Sequence, residues 1–388
     1  MKVLGLVFTE GVSLETWVKQ GLIFREKRIY EEHLRQGHFD KIIWFTYGKK
    51  DAEIRKELVE QGSLDERIQV VPMPLYFSGK YMTIIYSYLL PYIQKKYCNE
   101  ISIIKTNQMG GAWTAYLMHR LYRIPFILRT GYTYSSYLKN KKEQEHSIYK
   151  KWKANFEYKK YVAIEKKLYH KCDAAFVSSR HDKEYVCNSY GIQQSKINIL
   201  TNYIDCELFK PKEVVNKQEK RVVFVGRLSQ VKNLFHIIQA VGELGWGLDI
   251  YGNGELKERL EEFAENKGFD VHFCGIVANA KLPAIYNQYK YYILASLSEG
   301  MPKTLLEAMA CGLICFGTDI PGIREIIADG ENGYLIADTS AEMIKNALIR
   351  GINNVNNEKV SRCAVDYIQE NHLLREIVTK EWNVIQNL

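Results

Sequence analysis

Short, mainly apolar runs alternate with helical patterns along this chain. The first run, residues 2–8, is followed by the polar loop 9–13 and by a helical pattern over residues 14–36. A run that is apolar at nearly every consecutive position is typical of a strand buried on both faces of a parallel sheet. The alternation therefore predicts a doubly wound α/β fold. Further strand-like runs lie at residues 41–46, 68–71, 101–106, 125–128 and 174–177.

The alternation stops once, at the polar and charged stretch of residues 212–220, and then starts again. Because 388 residues are many for a single hydrophobic core, this interruption indicates a domain boundary. We therefore predict two domains that meet at roughly residues 205–220. Strand-like runs of the second half lie at residues 221–225, 248–251, 272–273, 292–295, 314–316 and 333–336.

The most specific stretch is residues 298–312, SEGMPKTLLEAMACG. It predicts a strand end, a tight loop and a short helix, with Pro302 in the first helical turn and Gly312 directly after the last. The junction between loop and helix leaves backbone N–H groups near Lys303 and Thr304 unpaired, and such groups favour a bound anion.

Two carboxylates flank this predicted anion site. Glu299 lies in the loop before the amides, and Glu307 lies about one turn inside the helix. A phosphate could bind to the amides while the carboxylates accept hydrogen bonds from neutral hydroxyls on either side. This combination suits a nucleotide sugar, which has a diphosphate in the middle and hydroxyl groups at both ends.

The spacing of Glu299 and Glu307 resembles the signature of the retaining glycosyltransferases of family 4, which have the GT-B architecture. The specific part of the resemblance covers roughly residues 196–340, and the first half of the chain resembles the family loosely. Four more segments resemble the family's motifs in the family's order: residues 225–228 with Lys232 and Asn233, residues 251–254, residues 273–275, and residues 321–327 with Asn332 and Gly333.

The resemblance implies an α/β fold of two doubly wound Rossmann-like domains facing a central cleft. Residues 1–205 would bind the acceptor, residues 206–370 would bind the nucleotide sugar, and residues 371–388 would cross back to the first domain. The implied activity is retaining hexosyl transfer from a UDP- or GDP-sugar to a growing cell-surface glycan, with a lipid-linked glycan as one possible acceptor.

The resemblance also implies roles for the charged residues of the second half. Arg227 and Lys232 would clamp the diphosphate, where charge develops as the bond to the sugar breaks. Glu299 would lie near the donor sugar, and Glu307 would accept hydrogen bonds from the ribose hydroxyls. We therefore expect Glu299, Arg227 and Lys232 to form the catalytic set, with Glu307 as a donor-binding residue.

The remaining expected donor-binding residues are small or backbone contacts in loops. Ile276 could line the base pocket or simply pack, and Gly11 could let the backbone approach the donor or be a plain turn glycine. The other expected donor contacts are Gly252 and the loop and helix start Gly300, Met301, Pro302, Lys303, Thr304 and Leu305.

The first half departs from the family at the strand of residues 125–128. Many members carry a histidine after this strand, whereas this chain has Arg129 and, three positions later, Tyr132. These two residues are our candidates for the missing contact with the donor sugar. Asn107 and Gln108 follow another strand and could bind sugar hydroxyls or only cap the next helix.

The chain has no Asp-x-Asp sequence, which argues against the metal-dependent GT-A class. We expect neither a metal nor a cofactor, the nucleotide sugar being a substrate. A front-face mechanism, in which the leaving phosphate oxygen takes the acceptor proton, would need no protein base. Two alternatives remain at this point: an epimerase or hydrolase of nucleotide sugars on the same fold, and a non-catalytic binder of sugar nucleotides.

Charge is divided unevenly between the two halves. Residues 1–200 contain 33 Lys and Arg against 20 Asp and Glu, whereas residues 201–388 contain 20 against 25. The basic half could meet an anionic membrane surface or an acidic glycan, or could be a solvated face without a partner. Nucleic acid is not expected as a partner. The tyrosine-rich residues 76–96 could form an interfacial helix, although a core helix with a polar edge is the prediction.

Cysteine spacing and the chain ends bear on location. The eight cysteines show no C-x-x-C spacing, which indicates free thiols in a reducing compartment. No terminal apolar run is long enough for a signal peptide or a membrane span. We therefore expect a cytoplasmic protein, with peripheral attachment to the inner face of the cell membrane as a further possibility.

Overall fold

The computed structural model of the chain describes residues 1–144, 148–212 and 217–388. It contains two compact units: unit 1 consists of Met1–Leu200 and Val378–Leu388, and unit 2 consists of Thr201–Ile377. Each unit has one sheet, and every strand pair in both sheets is parallel. Helices lie between the strands in sequence, so the predicted α/β fold with two doubly wound sheets is confirmed.

Unit 1 has a seven-stranded sheet in the order β3-β2-β1-β4-β5-β6-β7. The strands are β1 Val3–Val7, β2 Lys41–Phe45, β3 Ile68–Val71, β4 Ile103–Thr106, β5 Phe126–Arg129, β6 Ala174–Val177 and β7 Ile197–Ile199. The helices are α1 Leu14–Lys19, α2 Ile23–Glu26, α3 Arg28–Arg35, α4 Asp51–Glu60, α5 Lys80–Ile93, α6 Lys95–Cys98, α7 Ala112–Tyr122, α8 Tyr134–Gln144, α9 Ile148–Lys171 and α10 Arg180–Tyr190.

The order of the strands in unit 1 reverses between β1 and β4. At such a switch point, the carboxyl ends of the two strands border a crevice in which α/β proteins bind ligands. The loops after β1 and β4 approach closely, because a Cβ on Gly110 would lie 2.8 Å from Thr9 Cγ2 and one on Gly111 would lie 2.6 Å from the Phe8 carbonyl oxygen. Glycine at these positions therefore allows the two loops to meet.

Two predictions about unit 1 are wrong in detail. The single helical pattern over residues 14–36 is three helices. Gly21, in a left-handed conformation (φ +67°), follows the first, and Lys27 separates the second from the third. Strand β7, of three residues, was not predicted, because so short a run carries no clear periodicity. The eight cysteines are free, as predicted, and Cys311 and Cys315 pack in the core of unit 2.

Unit 2 has a six-stranded sheet in the order β10-β9-β8-β11-β12-β13, so its switch point lies between β8 and β11. The strands are β8 Gln218–Val225, β9 Gly247–Tyr251, β10 Val271–Gly275, β11 Tyr289–Leu294, β12 Ile314–Thr318 and β13 Tyr334–Ile336. The helices are α11 Leu234–Glu243, α12 Lys257–Lys267, α13 Leu282–Tyr286, α14 Lys303–Ala310, α15 Pro321–Arg324, α16 Ala341–Ile352, α17 Asn357–Asn371 and α18 Leu374–Ile385, whose last turns belong to unit 1.

Helix α14 is the short helix predicted from the most specific stretch of the sequence. Gly312 follows the C-terminal cap in a left-handed conformation (φ +77°), as predicted. Pro302, predicted inside the first turn, is instead the N-cap, with an extended backbone (φ −73°, ψ 112°). Within the described ranges, no helix combines the length and the apolar character that crossing a membrane requires.

Candidate functional site

The loops that follow β8, β9 and β11 meet at the switch point of unit 2. Leu297 N donates to the Val231 carbonyl at 2.8 Å, and Leu228 N donates to the Asn253 carbonyl at 3.0 Å. Gly252 joins them more closely still, because its φ is +144° and a Cβ there would overlap the carbonyl oxygen of Gly226. Glycine at position 252 is thus needed for the loops to close into one crevice.

Lys232 and Glu299 form an ion pair at this crevice. The Lys232 ammonium donates to Glu299 Oε1, and Ser296 Oγ donates to the same oxygen at 2.7 Å. Both charged side chains are largely shielded from solvent, with relative exposures of 18% and 13%. The fold therefore holds an ammonium group and a carboxylate in fixed positions beside the loop after β11.

Arg227 lies in the loop directly after β8, and its side chain is exposed. Among the residues that the structure describes, its guanidinium has neither an ion pair nor a side-chain hydrogen bond. The crevice thus has two cations with different settings. Lys232 is held by Glu299, whereas Arg227 is free to turn toward an anion.

Glu307 is almost fully buried on α14. Asn279 Nδ2 donates to Glu307 Oε1 at 2.9 Å, and the Tyr286 hydroxyl donates to Oε2 at 3.4 Å. Burial, reinforced by the charge of Glu307, raises the pKa of Tyr286 well above its ordinary value, so the phenol keeps the proton that it donates. Glu307 is therefore an oriented acceptor and not a solvated helical glutamate.

The start of α14 presents its first backbone N–H groups without a side-chain cap. Pro302, as the N-cap, has no N–H of its own, and the first amides of a helix have no partners inside it. Thr304 is fixed by the Tyr292 hydroxyl, which donates to its Oγ1 at 2.8 Å. Lys303 lies with its ammonium 5.1 Å from the centre of the Tyr203 ring. The helix start is a rigid group of donors for an anion.

The loop before α14 is held from two sides. Asn202 Nδ2 donates to the Met301 carbonyl at 2.6 Å. A Cβ on Gly322 would overlap the carbonyl oxygens of Glu299 and Gly300, so α15 packs directly against this loop. Leu305 lies in the core and can contribute only its backbone to a ligand. Glu299 is thereby positioned by packing as well as by its ion pair.

Ile276 follows Gly275 at the carboxyl end of β10, and its side chain is 56% exposed. Gly275 adopts φ +72°, and its carbonyl accepts from Gly252 N at 2.7 Å. Ile276 is accordingly an apolar side chain at the rim of the loops and not a core residue.

The candidates of unit 1 lie at its own switch point. Gly11, in the loop after β1, has φ +78°, which explains glycine at this turn. Asn107 is buried after β4 and donates its backbone N–H to the Val7 carbonyl at 3.0 Å. Gln108 Oε1 accepts from Gly131 N at 2.8 Å, so this side chain braces the loop after β5.

Arg129 ends β5 with its side chain buried at 8% exposure, whereas Tyr132 is half-exposed. The Arg129 backbone N–H donates to Thr106 Oγ1 at 2.9 Å. No carboxylate pairs with its guanidinium within residues 1–144, 148–212 and 217–388. A buried cation without a counter-charge is costly, and this is a setting that an anionic ligand would relieve.

Three residues that support the site were not predicted. Ser296 lies three positions before Glu299, so its contact could have been anticipated from local spacing. Asn279 and Tyr286 have no such signal, because they belong to a separate segment 28 and 21 positions before Glu307. Unit 2 thus contains cations and helix amides, which suit an anion, and two oriented carboxylates, which can accept hydrogen bonds from hydroxyl groups.

Solved structures of similar fold cover nearly the whole chain. Anabaena HepE in complex with UDP matches with a TM-score of 0.73 at 15% identity, over 100% of both chains. Sucrose-phosphate synthase from Thermosynechococcus elongatus matches with a TM-score of 0.77 at 15% identity, over 100% of this chain and 99% of the other. At such identities the likeness establishes the fold, which is GT-B.

Curated glycosyltransferases match parts of the chain, among them the following three. An uncharacterized glycosyltransferase from Methanocaldococcus jannaschii is 29% identical over 58% of this chain and 61% of its own length. The UDP-N-acetylglucosamine–peptide N-acetylglucosaminyltransferase GtfA subunit of Streptococcus pneumoniae is 34% identical over 41% of this chain and 34% of its own length. A Campylobacter jejuni α-1,4-N-acetyl-D-galactosaminyltransferase, named for an undecaprenol-diphosphate-linked acceptor, is 29% identical over 42% of this chain and 46% of its own length.

Two family models match adjoining parts of the chain. The model described as Glycosyltransferase Family 4 matches residues 27–208, and the model described as Glycosyl transferases group 1 matches residues 205–364. Together they span residues 27–364, which include most of both units and the crevice of Lys232, Glu299 and Glu307. The chain belongs to the family 4, group 1 glycosyltransferases of GT-B fold.

Proposed function

We propose that the chain is a retaining glycosyltransferase that moves a sugar from a UDP- or GDP-activated donor to a growing cell-surface glycan. The observation that carries this proposal is the crevice of unit 2, which combines the cations Lys232 and Arg227, the uncapped start of α14, and the oriented acceptors Glu299 and Glu307. Support for a nucleotide-sugar donor comes from the S. pneumoniae relative, named for UDP-N-acetylglucosamine, and from Anabaena HepE, solved with UDP-glucose.

In the proposed reaction, the bond between the anomeric carbon and the diphosphate oxygen breaks as the acceptor oxygen bonds to that carbon on the same face. Negative charge develops on the departing diphosphate. Lys232, Arg227 and the amides of α14 would stabilise that charge, because fixed cations and dipoles act where the charge appears. The departing phosphate oxygen takes the acceptor's proton, so no protein side chain has to act as the base.

The two carboxylates would bind the two polyol ends of the donor. Glu307 would accept from the ribose hydroxyls, and Glu299 would accept from the donor sugar while keeping Lys232 in position. Since two protein cations can balance the diphosphate, we propose that transfer needs no metal ion. The candidates of unit 1, Gly11, Asn107, Arg129 and Tyr132, would contribute contacts to the sugar or the acceptor.

We further propose a lipid-linked acceptor and action at the cytoplasmic face of the membrane. Support comes from the C. jejuni relative, whose name gives an undecaprenol-linked acceptor. Further support comes from the positive charge of residues 1–200, which contain 33 Lys and Arg and only 20 Asp and Glu. The alignment spans less than half of that relative, so its name supports the class of acceptor, a lipid-linked glycan, and not the particular sugars.

The test begins with a panel of UDP- and GDP-sugars screened for thermal stabilisation of the protein, because a ligand that binds the folded state raises its stability. The nucleotide sugar that stabilises the protein is then radiolabelled in its sugar and incubated with the protein and a membrane extract. Label in the lipid phase supports transfer, and the Lys232→Ala protein should give about 10²–10³-fold less. A new free sugar would instead indicate an epimerase or hydrolase, and binding without turnover would indicate a non-catalytic binder.

A further inference from the structure

Helix α5 of unit 1 turns an apolar face to solvent. Large hydrophobic side chains recur along it at spacings of three and four residues, which places them on one face of a helix. Tyr81 is 79% exposed and Tyr92 is 59% exposed, so the face is open at both ends. The exposed residues of this face, here named the α5 stripe, are Tyr81, Ile84, Ile85, Tyr88, Leu89, Tyr92 and Ile93.

The opposite face of α5 is already packed in unit 1. Tyr86 and Leu90 are fully buried. Thr114 Oγ1 donates to the Ser87 carbonyl at 2.8 Å, and the Tyr122 hydroxyl donates to the Pro91 carbonyl at 2.6 Å. The α5 stripe is therefore additional to the face that docks the helix. The prediction of a core helix with a polar edge is wrong, because the outer edge is apolar.

The apolar surface continues into the loop before α5. Leu75 is 75% exposed and Tyr76 is 69% exposed. Single exposed hydrophobic residues are common on protein surfaces, but a contiguous set of this extent marks an interaction site.

The charges around the α5 stripe favour an anionic partner. Residues 67–99 contain no Asp or Glu, and the exposed Lys95 and Lys96 follow the last turn of the helix. Tyrosines at both ends of an apolar face, with lysines beside it and no carboxylate, are the composition of a helix that lies in a bilayer interface. A stripe that met another folded protein would more commonly carry both signs of charge at its rim.

The start of α5 lies beside the crevice of unit 1. A Cβ on Gly11, in the loop after β1, would be 3.9 Å from Thr83 Cγ2. An acceptor whose lipid lies in the bilayer would reach this crevice without leaving the membrane surface. This last step rests on the proposed function, whereas the apolar and basic character of the stripe does not.

We propose that the α5 stripe, with Leu75 and Tyr76, inserts into the headgroup region of an anionic lipid bilayer. Lys95 and Lys96 then lie against lipid phosphates. Binding is expected to require both the apolar side chains and the anionic lipid, and to weaken as salt rises.

The test is co-sedimentation of the full chain with vesicles of phosphatidylcholine and phosphatidylglycerol, and with vesicles of phosphatidylcholine alone. The variant Ile85→Glu/Leu89→Glu should lose at least about tenfold in vesicle affinity, because the two exposed aliphatic side chains become charged. The matched control is Ile349→Glu/Val355→Glu, which places the same charges at exposed aliphatic positions of unit 2 and should bind as the wild type does. Equal binding by both variants would overturn the proposal.

Two further measurements keep the test clear. Lys95→Ala/Lys96→Ala leaves the apolar face unchanged and should reduce the preference for anionic vesicles severalfold. Sedimentation velocity without lipid reports whether a second copy of the chain covers the α5 stripe. A wild-type dimer that becomes monomeric in Ile85→Glu/Leu89→Glu would overturn the proposal. The vesicle assays contain no sugar donor, so they measure membrane binding separately from transfer. A protein that binds vesicles but transfers no sugar in the donor assay would refute the proposed function and leave this inference standing.

Discussion

Lys232 and Glu299 are ion-paired across the switch point of unit 2, although 67 positions separate them in the sequence. Ser296 donates to the same carboxylate oxygen, so the pair has a fixed geometry before any ligand is bound. An ammonium group held in this way needs little reorganisation to meet a diphosphate. We expect catalysis to depend on both members, with different roles.

Lys232→Ala should reduce transfer by about 10²–10³-fold, since one fixed cation at the developing charge is lost. It should also weaken UDP binding, which titration calorimetry measures. Lys290→Ala is the matched control, because Lys290 is another lysine of unit 2 that pairs with a glutamate, Glu219, at an exposed position. UDP affinity and transfer equal to those of the wild type in Lys232→Ala would remove this lysine from the site.

Glu307→Ala should lower the free energy of unfolding by about 1–3 kcal/mol, because Asn279 and Tyr286 would lose their buried acceptor. Because Glu307 is almost fully buried, this substitution is expected to affect folding as well as ligand binding. Glu307→Gln keeps the shape and is the variant for binding studies. If Glu307 binds the ribose, the wild type should prefer UDP over 2′-deoxy-UDP and Glu307→Gln should prefer it less. Unchanged discrimination would assign Glu307 to folding alone.

Arg129→Met should reduce transfer at least tenfold while leaving the stability of the protein unchanged or raised. Replacing a buried, unpaired cation with an apolar side chain removes a desolvation cost. Arg129→Lys keeps the charge and should keep more of the activity. Urea unfolding and initial rates give the two quantities. A variant that is less stable and fully active would show that Arg129 serves the fold.

Glu381, in the last turns of α18, is fully buried in unit 1 between Lys105 and His33. Its Oε2 lies 3.3 Å from His33 Nε2, and Lys105 pairs with Oε1. Burial opposes the charge of Glu381, but Lys105 and His33 outweigh this effect and hold its pKa well below the ordinary value of 4.5. The carboxylate therefore stabilises the folded state above pH 4.5, and this contribution is lost as the pH falls from there toward the depressed value.

Glu381→Leu should lower the free energy of unfolding at neutral pH by about 3–5 kcal/mol, because Lys105 would remain buried without a counter-charge. The double variant Lys105→Met/Glu381→Leu should recover most of that loss. Urea unfolding measures the stability of both proteins as a function of pH. As the pH falls below 4.5, the wild type should lose stability relative to the double variant. A difference that stays constant with pH would contradict an ionised Glu381.

Local patterns predicted much of this protein. The alternation of apolar runs and helices predicted two doubly wound sheets, and the stretch around Glu299 and Glu307 predicted helix α14, the glycine after it and the family. These features follow from neighbouring residues, because the periodicity of apolar side chains and the conformational preferences of proline and glycine act within a few positions. Where a local break was weak, as at Gly21, the same reasoning joined three helices into one.

The tertiary structure decided which distant groups meet. The sequence shows Lys105 as a charge inside an apolar strand, but it does not show that Glu381 is its partner. In the same way, nothing near Glu307 in the sequence indicates its contact with Asn279. His33 and Glu381 are 348 positions apart, and no local rule connects them. The same holds for α5, because a helical pattern shows that side chains share a face, whereas only the packed fold shows whether protein or solvent lies against that face.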